Sequence, residues 1–226
     1  AGYDLARSGS YGTLYLNSST GAYAYVPDDS AIEGAKTSVS DSFTLAVSDG
    51  AASATQTLTT SISGADDAPS LAALSGFSFT DTSANDSFSN ATGTATGTER
   101  DAADTLVYSI SGGSADGGLA GYDVARAGTY GKLYLNSGTG AYAYVPDDSA
   151  IEALKSSTSE SFTLAVTDGN TSASQTLTAS INGAEDTPSL AILSGFTFTD
   201  TSANDSFSNA TGTAAGSERD SGDTLA

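Results

Sequence analysis

Sliding the chain 119 residues along itself lays residues 1–107 on residues 120–226 without a gap, and roughly 80 of the 107 overlaid pairs are identical. GAYAYVPDDSAIE occupies 21–33 and again 140–152, and FTDTSANDSFSNATGTA occupies 79–95 and again 198–214. Whatever this chain folds into must therefore be built from a unit that recurs every 119 residues. Periods of about 20–50 residues denote solenoids, in which one unit cannot bury its own face, whereas a period of this length is the size of an independent domain. The repeat predicts domains strung in tandem.

The register of the repeat follows from its prolines. Ala-Asp-Asp-Ala-Pro at 65–69 and Ala-Glu-Asp-Thr-Pro at 184–188 are the linker candidates, because Pro cannot continue a central strand and small acidic residues favour solvated turns. Cutting there gives the C-terminal part of a preceding repeat over 1–67, a complete repeat over 68–186 and the N-terminal part of a following repeat over 187–226. The ends are thus expected to fall inside domains, as in a window cut from a longer array. Strand addition between neighbouring chains is the alternative, although joining 187–226 to a neighbour's 1–67 leaves out the stretch matching 108–119.

Within the complete repeat, apolar and polar residues alternate over short runs bounded by Gly, Asn, Asp or Ser, the pattern of half-buried strands. Phe162, Leu164 and Val166 fall on one face of such a run and Thr163 and Ala165 on the other. Further strands are predicted over 76–80, 92–98, 105–111, 122–127, 130–136, 141–146 and 173–182, with a glycine-bearing hairpin loop at 136–140. A short helix is predicted over 149–155, capped by Ser149. Many short antiparallel strands at this spacing predict an all-β fold, a β-sandwich with Greek-key connections.

Composition then narrows function. Neither His nor Cys is present, which removes the imidazole base, the Ser-His-Asp and Cys-His nucleophile systems, thiolate zinc and disulfides. With 27 acidic and 7 basic residues the net charge is −20, which repels nucleic-acid phosphates and anionic lipid surfaces. No apolar stretch is long enough to span a membrane. The chain is read as no enzyme, no nucleic-acid binder and no membrane-inserted protein.

The succession FTDTSANDSF, GTATGTERDAADTLVYSISGG, GTYGKLYLNSGTGAYAYVPDDSA, SFTLAVTDG and ASINGAEDTP resembles the VCBS repeat of very large bacterial surface and secreted proteins, including RTX-type adhesins. The resemblance spans the whole 119-residue unit. It implies tandem immunoglobulin- or cadherin-like β-sandwiches acting as spacer or adhesive segments, with calcium at the junctions and an extracellular place at the bacterial surface or in secretion. The junction here reads Gly-Ala-Asp-Asp-Ala-Pro or Gly-Ala-Glu-Asp-Thr-Pro where the family more usually has Gly-Thr-Asn-Asp-Ala-Pro. The following acidic segment is Glu-Arg-Asp rather than Asp-Xaa-Asp, which brings Arg100 and Arg219 close to the proposed ligands.

Calcium is the sharpest chemical reading of the acids themselves, since a hard cation wants six to eight oxygens that carboxylates on adjoining loops supply. The first set is Asp49, Asp66, Asp67, Glu99, Asp101 and Asp104, and the second is Asp168, Glu185, Asp186, Glu218, Asp220 and Asp223. The competing reading is that these acids are solvated turn residues that keep the surface soluble. Asp81 and Asp86, in a loop that recurs at 200–205, could ligate a cation or a sugar, or simply bond their own backbone. Tyr142 and Tyr144 could stack on sugar rings, or pack across their hairpin. The sequence thus predicts a calcium-stiffened stalk or fibre module whose partners are neighbouring repeats. Its alternatives are a carbohydrate-binding adhesin module contacting cell-surface or matrix polysaccharide, and a filament or sheath subunit that pairs with like chains.

Overall fold

The computed structural model describes residues 2–102 and 104–226. In chain order its elements are β1 Leu5–Ser8, β2 Gly12–Leu16, β3 Tyr23–Pro27, α1 Asp29–Glu33, β4 Val39–Ser48, β5 Ser53–Ile62, β6 Ser70–Leu71, β7 Phe77–Thr80, β8 Ala91–Thr94 and β9 Gly97–Thr98. They continue as β10 Val107–Ile110, β11 Ser114–Ala115, β12 Val124–Ala127, β13 Gly131–Leu135, β14 Ala141–Pro146, α2 Asp148–Glu152, β15 Thr158–Thr167, β16 Ser172–Asn182, β17 Ser189–Leu190 and β18 Gly216–Ser217. The fold is all-β apart from two short helices. No helix among the described residues is long and apolar enough to cross a membrane.

In the complete repeat the strands form two sheets, one ordered β10-β15-β16-β7 and the other β11-β12-β13-β14-β8. Phe77 and Phe79 of one sheet meet Tyr142 and Tyr144 of the other, with the Phe79 and Tyr144 rings 5.4 Å apart. These two inner faces make the expected sandwich. Antiparallel pairing holds across the second sheet, from Ser114↔Ala125 through to Tyr144↔Ala91. The pairing of β7 with β16 is parallel, Phe77 opposite Ala179 and Thr80 opposite Asn182, where the alternation pattern predicts antiparallel neighbours. Some ninety residues intervene between these two strands, far more than the crossover a parallel pair requires.

Local chemistry explains the smaller features. In the hairpin loop Gly140 takes φ 72°, a left-handed conformation open to glycine at no steric cost, while the Asn136 side chain accepts from the amides of Gly138 and Thr139 at 3.0 and 2.9 Å. The helix begins at Asp148 rather than Ser149, because Asp147 is the cap: its backbone is extended and its carboxylate accepts from the Ala150 amide. Asp serves this role as well as Ser does. The strand predicted over 92–98 is broken into β8 and β9.

The chain divides into two compact units. One comprises residues up to Ala72 together with Thr96–Tyr108 and Ala165–Ser174; the other comprises Ala73–Ala95, Ser109–Leu164 and Gln175–Ala226. The first unit holds the three-stranded sheet β1-β2-β3, the ten-pair hairpin β4-β5 and the pair β6-β9. It gathers residues from beyond Pro69 because the Ala102 amide donates to the Gly34 carbonyl and the Asp67 amide to Asp101. In the second unit the core is Leu133, Leu135, Tyr144, Ile151, Leu164, Leu177 and Ile181, all 1% exposed or less. Beyond β17 in that unit, Ile192, Leu193, Phe196, Phe198 and Phe207 are exposed, although Phe77 and Phe79, the counterparts of Phe196 and Phe198, pack into the sandwich.

An inward-facing acid in each repeat escaped the sequence reading. Asp41 accepts from the Ser10 and Tyr11 amides and from the Tyr25 hydroxyl, and Glu160, its counterpart, accepts from the Thr129 and Tyr130 amides and the Tyr144 hydroxyl. The signal was present: Glu160 continues the inward series of Phe162, Leu164 and Val166. Burial raises the Asp41 carboxyl, but the Tyr25 hydroxyl and the two amides outweigh burial and leave it lowered. Since the folded value lies below the unfolded one of about 3.9, Asp41 stabilises the fold above that pH and loses this as pH falls through its folded value. Asp41→Asn should therefore melt below the wild type at pH 7, with a gap that closes under about pH 4 as the wild-type carboxyl protonates. A gap that persists to about pH 2 in thermal melts would show the carboxylate charge to be immaterial.

Candidate metal centres

Five buried side-chain oxygens lack a hydrogen-bond partner among the described residues: Asp81 Oδ1, Glu99 Oε2, Asp101 Oδ1, Glu152 Oε2 and Asp220 Oδ1. All five belong to acids that cluster. A charged oxygen buried without a partner is costly, so the four other than Glu152 Oε2, which faces the Arg219 guanidinium, call for a positive group.

In the first unit, Glu99, Asp101 and Asp104 bring carboxylate oxygens within 4.8 Å of one another, as do Asp66, Asp104 and Asp168. Oxygens sharing one calcium at about 2.4 Å stand no farther apart than about this. Asp101, 5% exposed, accepts from the Asp67 amide at 2.6 Å through Oδ2, leaving Oδ1 free. Glu99 Oε1 accepts from the Arg100 and Asp101 amides. Lys36 Nζ lies 2.9 Å from Asp66 and 2.7 Å from Asp104, and these carboxylates raise its pKa. Of the six acids read from the sequence, Asp66 and Asp104 are therefore paired with a lysine, Glu99 and Asp101 are not, and Asp67 contributes its amide.

Asp168, expected with the second set, stands instead with Asp66 and Asp104, and its neighbour Asn170 donates to Asp66 Oδ2 at 3.2 Å. The reason lies in the β15-β16 hairpin. Asp168 sits in its turn, whereas Glu185 follows the far end of β16, an eleven-residue strand and so about 36 Å of extended chain. Asp49, the counterpart of Asp168, is exposed in the β4-β5 turn, accepts from the Ala51 and Ala52 amides, and joins none of the acid clusters among the described residues.

In the second unit, Glu185, Asp220 and Asp223 form one cluster and Asp81, Asp86 and Glu152 another. Lys155 pairs with Glu185 and Asp223, as Lys36 does with their counterparts. Asp220 Oδ2 accepts from the Asp186 amide at 2.6 Å, and Glu218 Oε1 from the Arg219 and Asp220 amides. Asp81 accepts from the Ala184 amide at 3.1 Å, Asp86 from the Thr82 amide and hydroxyl, and the Asp86 amide donates to Glu152 Oε1 at 2.8 Å. Burial pushes the Glu152 carboxyl up, the Asp86 amide opposes this, and Asp81 and Asp186 add to the rise. Glu152, 4% exposed, is a member that the sequence reading missed; its place in α2 beside the buried Ile151 was the available sign. Arg219 carries Nε 2.9 Å from Glu152 Oε2, an ion pair, while directing its N–H groups at Asp186, at 3.0 Å to each oxygen.

Tyr142 and Tyr144 are 3% and 0% exposed. They fill the core between the sheets, so neither ring has a face for a sugar, and that reading of them is withdrawn. Gly131 makes the room, since a Cβ there would lie 2.4 Å from Tyr144 Cζ.

No family model matches the chain, and no curated protein matches it. Among solved structures it is similar to mouse clustered PcdhgC3 EC1-3 at 16% identity, covering 82% of this chain and 56% of that one with a TM-score of 0.34. It is similar to Drosophila N-cadherin EC1-4 at 14% identity, covering 82% and 42% with a TM-score of 0.34. It is also similar to Protocadherin Gamma B2 extracellular cadherin domains 1-5 at 17% identity, covering 85% and 35% with a TM-score of 0.37. The chain thus spans between about a third and just over half of the length of these structures.

Proposed function

We propose that this chain is part of a tandem extracellular spacer, a stalk or fibre segment of a large bacterial adhesin of the VCBS type, stiffened by calcium bound at the acidic clusters of its repeat junctions. The observation that carries the calcium reading is the recurrence of buried, unpartnered carboxylate oxygens at the same place in both repeats, Asp101 Oδ1 and Asp220 Oδ1, each on an acid already tied by its other oxygen to the linker amide of Asp67 or Asp186. The donors fit a hard cation: they are carboxylates, clustered, and unpaired by any lysine. Glu99 and Asp101 would hold it in the first unit, and Asp81, Asp86, Glu152 and Asp220 supply donors in the second. When bound, calcium supplies a divalent charge that ties the linker to the loops around it. The protein's residues do the rest: Asp67 and Asp186 present their amides, Lys36 and Lys155 neutralise the outer acids, and the high negative charge keeps near-identical repeats apart during folding.

Repetition of a whole surface suits a role in length or avidity, since single-site recognition needs its side chains once. Calorimetric titration of the chain with calcium, paired with small-angle scattering in calcium and in chelator, tests the reading. Millimolar or tighter binding together with a longer, straighter particle is expected. Absence of heat together with unchanged scattering would leave the acids as a solubilising surface.

A further inference from the structure

The second unit holds a positive group where its acids are most deeply buried. Arg219 Nε stands 2.9 Å from Glu152 Oε2 and donates to Asp186 Oδ2 at 3.0 Å, and Nη2 donates to Asp186 Oδ1 at 3.0 Å. The Asp186 side chain is wholly buried and that of Glu152 is 5% exposed, so the guanidinium is the positive group set against both buried carboxyls. Glu152 is at the same time one of the three acids whose oxygens converge with those of Asp81 and Asp86. Asp81, 4% exposed, keeps Oδ1 unpartnered beside them. Asp86, Glu152 and Arg219 line one open cleft of about 440 Å³, so a hydrated cation can reach the cluster from solvent and the arginine can withdraw into it.

We propose that Arg219 is an intramolecular counter-cation of this cluster, which a divalent cation displaces from Glu152 on binding, so that the arginine sets the affinity. The proposal rests on the calcium reading above and adds a competitor to it. Two positive groups within a few ångströms of one carboxylate repel, and the guanidinium, at the end of a flexible side chain that is 31% exposed, is the one free to move. Arg219 thereby offsets one negative charge of the cluster when calcium is scarce and raises the calcium concentration needed to fill it.

The test compares the wild-type chain, Arg219→Gln and Arg219→Lys, titrated with calcium chloride in a calorimeter and melted in chelator and in about 10 mM calcium, well above the dissociation constants of extracellular modules. Arg219→Gln should bind calcium at the second cluster about tenfold more tightly, the effect of removing one nearby positive charge, and should melt lower than wild type in chelator but recover in calcium. Arg219→Lys should restore part of the chelator stability and part of the wild-type affinity. Arg100→Gln is the control: Arg100 is exposed and makes no ion pair among the described residues, so its loss should leave binding at the Asp81–Asp86–Glu152 cluster unchanged. If Arg219→Gln binds calcium as the wild type does and melts lower by the same amount in both buffers, Arg219 is a structural ion pair and the displacement proposal falls while the calcium reading stands. If no variant binds calcium, both fall.

Discussion

Tyr144→Ala lowers the melting temperature of the complete repeat by roughly 12–20 °C, the equivalent of about 3–5 kcal/mol for removing a fully buried ring from a domain of this size. Tyr144 has no exposed surface and touches Phe77, Phe79 and Phe162, with centroids at 6.2, 5.4 and 6.1 Å. The ring therefore joins β14 to β7 and β15 across the sandwich, and a cavity at that place is lined from both sheets, where relaxation is hardest. A loss of this size is a large share of the roughly 5–15 kcal/mol that holds a domain folded. Tyr144→Phe should cost less, about 1–2 kcal/mol, because it keeps the ring and removes the hydroxyl that donates to Glu160 at 2.5 Å. Thermal denaturation of the three chains decides it. A Tyr144→Ala chain that melts within a few degrees of wild type would mean that the two sheets do not close over this ring.

Calcium at about 10 mM should raise the wild-type melting temperature by roughly 5–10 °C, and the double variant Asp101→Asn with Asp220→Asn should lose the share of that rise that comes from the clusters holding these two acids. The size follows from a dissociation constant of about 0.1–1 mM, which at this calcium level stabilises each site by about 1.4–2.7 kcal/mol. These two acids are chosen because each has one oxygen on the linker amide and the other buried without a partner. The asparagine carbonyl preserves the bond to the linker amide while the charge a cation needs is lost. In chelator the double variant should melt no lower than wild type, since each substitution takes one like charge out of a crowded cluster. Full retention of the calcium response by the double variant would move the sites to other acids.

Much of the fold was legible along the chain. Period-two alternation located the long strands and the hairpin at 136–140, because one face of each strand is buried and the pattern records which. Local rules were less able to choose between near-equivalent solutions: Asp147 and Ser149 both satisfy the capping rule, and the fold uses the aspartate. Pairing between distant segments left no local mark, so the parallel register of β7 against β16 appeared only in three dimensions. The acidic junctions were legible as composition, yet their division into lysine-neutralised outer acids and unpaired inner ones was not, nor was the place of Asp168, which depends on the length of a strand.

The repeat, its period and its alternation of strands could all be read before any fold was known, because they are properties of neighbouring residues and of identity at a fixed spacing. The clearest case of what such reading leaves open is the tripeptide Glu-Arg-Asp, present at 99–101 and at 218–220. Arg100 is exposed, and Arg219 is held by Glu152 and Asp186. Arg219 finds Glu152 in place because the amide of Asp86, 66 residues away along the chain, donates to that carboxylate. A long side chain settles on whichever buried charge the folded chain sets within its reach, and where that charge lies is a matter of packing between segments far apart in sequence.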